Sequence, residues 1–297
     1  LLWVSAISSS ISKNRWLPGR ASLASLTGTG PAPSCRTWGA TAGVLGGFLY
    51  LINPGLPFII TGILQFIGII VTLWLKEPII DSVRFSFINF IIQNKQGFKE
   101  LTRSPIIKKY VLYLLSIAIF LVITYEVLDD VLAVEYGYLA TQLGMLAAIG
   151  ALFGALTSSF TPYLTKRFSW LHLVIALSII TSATLIVSPL VGLGIGGILI
   201  IIREGPHAIM ENLTSIIINK HTESKYRATT LSTFTMIQSL PYALLAFFIG
   251  VAMNLLTAKI FAAILGVILL LLLFFLHIIL FRKSSTANDW DQRHYSS

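Results

Sequence analysis

Cysteine and charge are what this chain has least of. Its one thiol, Cys35, allows neither an internal disulfide nor a cysteine-held metal cluster, so it reads as a bystander. Only 11% of the 297 residues are charged, and acids number 12 against 21 lysines and arginines. That is too little charge to clothe an ordinary soluble domain. Missing motifs narrow the chemistry further. There is no Gly-rich phosphate loop ending in Lys-Ser or Lys-Thr, no His-Glu-x-x-His pair and no Gly-x-Ser-x-Gly elbow. Their absence removes ATP-driven transport by this chain and the common hydrolase mechanisms. Nothing calls for an enzyme activity, a cofactor or a metal. The run "VGLGIGGIL" does hold glycines, but inside an apolar stretch where helix packing explains them better than dinucleotide binding.

Apolar residues are what the chain has in abundance. They make up 55% of it, and the mean hydropathy is +0.83, so a bilayer is the expected solvent. A helix crossing the hydrocarbon core takes roughly 20 apolar residues. Stretches of about that length fall at Thr37–Ile52, Pro57–Leu75, Tyr110–Leu128, Gln142–Tyr163, Leu171–Ser188, Leu190–Ile218, Leu231–Met253 and Thr257–Phe281, the first short and the sixth interrupted. The expected fold is therefore an all-α membrane protein, a polytopic bundle of about eight transmembrane helices. Runs this long, with so few polar faces between them, do not fit buried soluble helices.

The net charge of +9 comes in short clusters between the apolar runs instead of one continuous face, which excludes nucleic acid as the partner. Lys76 to Lys109, Lys166 with Arg167, Lys220 to Arg227, and Arg282 with Lys283 alternate with connections that lack basic residues. One of those, Glu126–Tyr136, carries Glu126, Asp129, Asp130 and Glu135 without a lysine or arginine. By the positive-inside rule the basic connections and the C-terminus face the cytoplasm, which gives a multi-pass protein of the cell membrane. Lys259 alone is awkward, near the start of the last span, where its stem can snorkel to the interface.

Leu1–Ile11 is too short for a span and lacks the order of a signal peptide, so it reads as the end of a helix whose beginning is missing. Residues as far as 36 are Ser-, Thr-, Gly- and Pro-rich and read as a cytoplasmic connection. The chain then divides into a helix pair (37–75), a basic linker (76–109), six further helices (110–281) and a tail (282–297). Within the linker, Phe85, Ile88, Ile92, Phe98 and Leu101 alternate with Arg84, Lys95, Lys99 and Arg103, a basic amphipathic pattern suited to a helix lying on the inner leaflet. A simple surface loop is an equal alternative.

Two spans, a long basic linker, six more spans and a tail resemble helices five to twelve of a major facilitator superfamily (MFS) transporter, with the C-terminal six-helix half complete and the first four helices missing. "WLKEP" at Trp74–Pro78 is similar to the end of the sixth helix, and "KYRATTLST" at Lys225–Thr233, with Arg227, to the basic loop entering the eleventh. "AGVLGG" keeps Gly43, Gly46 and Gly47 of the fifth-helix motif of drug–proton antiporters but lacks its proline, and Gly39, Gly43 and Gly47 at four-residue spacing favour close helix packing. "PYLTKRFS" keeps the Lys166–Arg167 pair of the loop after the eighth helix, with Thr165 where relatives carry an acid.

In that layout "GILIIIREGPHAIMENLTSIII" is the tenth helix. Arg203, His207 and Glu211 follow at four-residue spacing along one face, and Glu204 stands about 100° around it. A charge at the bilayer centre costs at least ~2.5 kcal/mol, so this face must meet partners or a cavity. The Gly205–Pro206 pair removes a backbone donor and predicts a bend beside the charges. Glu204 is the candidate proton or cation carrier, Arg203 the holder of a counter-charge and His207 a relay; static pairing of Arg203 with a neighbouring acid and of His207 with Glu211 is the alternative. Asn212 reads as a packing donor. Tyr125 and Glu126, closing the seventh helix, and Gln142, opening the eighth, would border an outward vestibule, with a place in the solvated headgroups the favoured alternative for Glu126. Gln238 beside Pro241 would line the cavity or satisfy freed backbone groups.

These readings converge on a secondary active transporter moving a small solute by alternating access, with or without proton coupling, its partners being membrane lipid, the solute and the proton. The alternative is a non-transporting truncated fragment or a membrane-embedded assembly protein.

Overall fold

The structure is a computed structural model that describes residues 33–74, 86–103, 105–223 and 226–281. Expectations for Leu1–Ile11, the connection after it, Leu75–Phe85 and the tail lie outside the described residues, as do Lys225 and the side chain of Cys35. Every regular element among the described residues is helical: α1 (Pro33–Ile52), α2 (Leu56–Trp74), α3 (Phe87–Leu101), α4 (Pro105–Ile123), a π-helical turn (Thr124–Leu128), α5 (Asp129–Tyr136), α6 (Ala140–Ser159), α7 (Thr161–Arg167), α8 (Trp170–Val187), α9 (Leu193–His221), α10 (Arg227–Leu256) and α11 (Ala258–Phe281). Among the described residues seven helices are long and apolar enough to cross a membrane, and α1 adds a shorter apolar stretch, Thr41–Ile52. The all-α, polytopic expectation holds.

One boundary is corrected. The span predicted to end at Leu128 runs on to Tyr136, because α4 passes through the π turn into α5 without leaving the helix. Glu126, Asp129 and Asp130 therefore belong to a spanning segment and not to an acidic connection. A π turn holds one more residue than a regular turn, so it rotates everything beyond it by about 100° relative to an uninterrupted helix. The helix stops at Gly137, whose φ of 100° is left-handed and costs glycine little.

Apolar side chains close the bundle in two clusters. Tyr113, Leu114, Ile117, Leu177, Leu213 and Phe234 belong to one; Leu128, Leu132, Leu185, Ile200, Ala262 and Leu265 belong to the other. Between Leu177 and Leu185 on α8 lie the buried Ser178, Thr181, Ser182 and Thr184, and between Ile200 and Ile209 on α9 lies Arg203. A polar layer thus separates the clusters. Many other large apolar side chains are exposed: α2 buries none of its residues, and Phe58, Leu73 and Trp74 are exposed. Such a surface is stable against lipid or other apolar helices, not against water.

The glycine stripe packs helices, as its spacing predicts. A Cβ on Gly144 of α6 would overlap the carbonyl oxygen of Gly43 on α1, and one on Gly47 would stand 3.4 Å from Thr141. Only backbones without side chains approach this closely. At the neighbouring turn, Tyr136 donates to the Ser188 carbonyl (3.2 Å), Tyr138 to that of Leu193 (2.8 Å), and Lys259 lies over the Tyr136 ring at 4.9 Å. That cation–π contact gives Lys259 a partner.

The linker contains a real helix, α3, but its expected faces are partly corrected. Leu101, assigned above to the lipid-facing stripe, is buried, and Glu100 with it. They turn inward because α3 docks on α10, where a Cβ on Gly97 would overlap Thr233 Oγ1 and stand 3.1 Å from the Thr229 carbonyl. Just beyond, Arg103 donates to Glu223 (2.6 Å) and more weakly to Glu100 (3.4 Å), and these two carboxylates raise its guanidinium pKa above the ordinary value.

Candidate functional site

The polar layer is built where α5, α8 and α9 meet. Arg203 on α9 is 3% exposed, and its Nε donates to Asp129 Oδ1 at 2.8 Å while Nη2 bonds the same oxygen. Asp129 opens α5, immediately after the π turn. The third guanidinium nitrogen, Nη1, is buried and has no hydrogen-bond partner among the described residues. Such an orphan donor is costly, and it is the kind of group a water or a solute acceptor would satisfy.

A small cavity adjoins the pair. It is lined by Leu121, Thr124, Tyr125, Asp129, Thr181, Arg203, Glu204 and His207, and at about 10 Å3 it has room for roughly one water. His207 stacks flat on Tyr125, ring centroids 4.2 Å apart and planes 6° from parallel. Glu204, half-buried, lies across from α6, where a Cβ on Gly150 would come within 3.0 Å of its Cγ. Arg203, Glu204 and His207 thus line one cavity with Tyr125 and with Asp129, a residue the sequence pattern places in a connection. Among the described residues no group of His, Cys, Asp and Glu could hold a metal ion.

The other candidates fall elsewhere. Glu211 and Glu126 are exposed, and neither lines this cavity. Gln142 caps its own helix, its Oε1 accepting from the Leu139 N–H at 2.9 Å. Tyr125, expected at a vestibule rim, is exposed and also stacks on His207 at this cavity. Helix α9 runs unbroken through Gly205 and Pro206, both buried; Gly205 lies against α6, where a Cβ would come within 3.1 Å of Phe153 and 3.3 Å of Thr157. Gln238 and Pro241 are half-buried within α10, also unbroken. Lys166 and Arg167 are exposed at the end of α7, Arg167 donating to Tyr163 at 3.3 Å, and Arg227 donates to the Thr222 carbonyl at 3.3 Å.

The sequence model of the Major Facilitator Superfamily matches residues 34–246, from α1 into α10. The chain belongs to the major facilitator superfamily. No curated protein matches it in sequence. As a superfamily member with these apolar helices it is a multi-pass transmembrane transporter. The matched region contains the whole Asp129–Arg203 layer. Two signals in the sequence bore on that layer: the small polar run "SIITSAT" within α8, and the lack of any Gly or Pro from Thr124 to Tyr136, which leaves the helix nothing to stop it before Gly137.

Proposed function

We propose that this superfamily member is a secondary active transporter of a small solute, coupled to protons through the charged layer around Arg203. The observation that carries the reading is the buried Asp129–Arg203 pair beside a cavity it shares with Glu204 and His207. Ion pairs inside a membrane bundle are expensive to build and are by default functional sites. Asp129 holds the Arg203 charge, Nη1 is left to meet a water or a solute acceptor, and Glu204 carries the proton. The cavity is too small for a solute, as in a state closed around the site, so transport requires the helices lining it to separate by alternating access. Its carboxylates and aromatic edge favour a cationic or amphipathic solute. The basic connections support a cell-membrane protein with its C-terminus in the cytoplasm.

The test is solute-driven proton movement in proteoliposomes, screening amines, sugars, peptides and organic anions. Proton flux with one solute class, abolished by Glu204→Gln and strongly reduced by Asp129→Asn in chains that insert normally, supports the reading. Unchanged flux in both variants makes the charges structural and favours the assembly role.

A further inference from the structure

Helix α3 has two faces, and only one is used by the protein. With about 100° per residue, Asn94, Gly97, Glu100 and Leu101 fall on one side, the side docked on α10. Ile88, Ile91, Ile92, Lys95, Phe98 and Lys99 fall within an arc of about 120° on the other. On that arc the large apolar residues are open: Ile88 is 67% exposed, Ile91 52%, Ile92 57% and Phe98 56%. Four such side chains on one short helix face are a recognition surface.

We propose that this outward face binds the membrane surface, its apolar residues entering the headgroup boundary and Lys95 and Lys99 pairing with anionic lipid phosphates. Three observations choose lipid as the occupant. Gly97 meets α10 at Thr229 and Thr233, the first turns of a membrane span, so α3 lies at the depth where spans leave the bilayer. The helix's lysines interleave with its apolar residues, the pattern of an interfacial helix whose cationic stems snorkel to the headgroups. Lys108 and Lys109, exposed at the start of the next span, extend the positive patch, which complements an anionic leaflet. Because α3 is tied to α10 through Gly97 and to the end of α9 through Arg103 and Glu223, lipid charge on this face would bear on the bundle itself. The proposal does not depend on the solute or on proton coupling.

Nitroxide depth measurements on the whole chain test it. In a Cys35→Ser background, a spin label at Ile92→Cys on the outward arc is compared with one at Lys166→Cys, exposed at the end of α7, in vesicles of phosphatidylcholine with phosphatidylglycerol, and of phosphatidylcholine alone. The expected result is an Ile92 label that collides with oxygen far more than with a water-soluble nickel chelate, and a Lys166 label with the reverse preference. Omitting phosphatidylglycerol, or introducing Lys95→Gln with Lys99→Gln, should move the Ile92 label toward water. Omitting the lipid alters no residue, so that arm stands even if the lysine variant misfolds. An Ile92 label in water under all conditions overturns membrane binding. A label shielded from both reagents overturns it in favour of a protein cover, and a depth indifferent to phosphatidylglycerol and to both lysines overturns the anionic-lipid contact.

Discussion

Arg203 and Asp129 stand 74 positions apart in sequence and share one buried ion pair, α9 donating and α5 accepting. Each group is in the layer only because the other is. Removing one partner strands the other's charge in low dielectric, which typically costs about 3–5 kcal/mol, whereas replacing both by neutral residues of similar shape costs much less. Asp129→Asn and Arg203→Gln should therefore each lower the thermal midpoint of the detergent-solubilised protein by many degrees. The double variant should recover part of that loss, with a coupling energy of about 0.5–3 kcal/mol. Strictly additive midpoints would show that the two side chains do not stabilise each other.

The α1–α6 crossing gives a second test, independent of any charge. A methyl group on Gly144 runs into the Gly43 carbonyl oxygen, which belongs to backbone and cannot swing away. A methyl group on Gly46 meets nothing within 4 Å. Gly144→Ala should cost about 1–3 kcal/mol of stability while Gly46→Ala is near neutral. Thermal unfolding of the two variants side by side decides it, and equal midpoints would mean that the helices are not held this close.

Much of the fold was legible because hydropathy reports directly on solvent: α2, α8 and α11 were found to within a few residues, and the Gly43–Gly47 spacing announced a close crossing. Asp129 was not legible. A cluster of acids free of lysine looks the same in a loop as in a helix, and what keeps Asp129 inside is a guanidinium that only the tertiary fold brings to it. The π turn was equally hidden, since nothing in "TYEVL" forbids regular helix. Leu101 was misassigned for a related reason: periodicity shows that α3 has an apolar side, but not that a glycine on its other side seats it against α10. That Arg203 and His207 share a face was visible because four-residue spacing on one helix needs no partner to interpret; the same spacing did not show that Glu211 would stay outside the cavity or that Glu204, about 100° around, would line it.

Glu135 supplies a third test. Its Oε2 accepts from the Ala258 N–H at 2.6 Å and the Lys259 N–H at 3.2 Å, so a carboxylate from α5 caps the first turn of α11. Those amides have no partner within their own helix, and a negative charge also suits the positive end of the helix dipole. Glu135→Ala should cost about 0.5–2 kcal/mol, and Glu135→Gln less, since it keeps an acceptor and loses only the charge. Hydrogen exchange at Ala258 and Lys259 is the local readout: protection should fall in the alanine variant while the middle of α11 keeps its own.

Asn212 tests whether polar groups in this bundle hold helices together as well as serving the charged layer. Its Nδ2 donates to Ser158 Oγ at 2.7 Å and to Thr161 Oγ1 at 3.3 Å, tying α9 to the end of α6 and the start of α7. Interhelical hydrogen bonds in membranes are worth about 0.6 kcal/mol on average and up to about 1.7, because the separated helices also find partners. Asn212→Leu should fall in that range, well short of the loss at Arg203, and Ser158→Ala should account for part of it in a double-mutant cycle. A loss at Asn212 as large as that at Arg203 would mean that α9 is anchored beyond Pro206 and not at the ion pair, and a hinge at Gly205–Pro206 would then have to move the Arg203 side of the helix about a fixed Asn212.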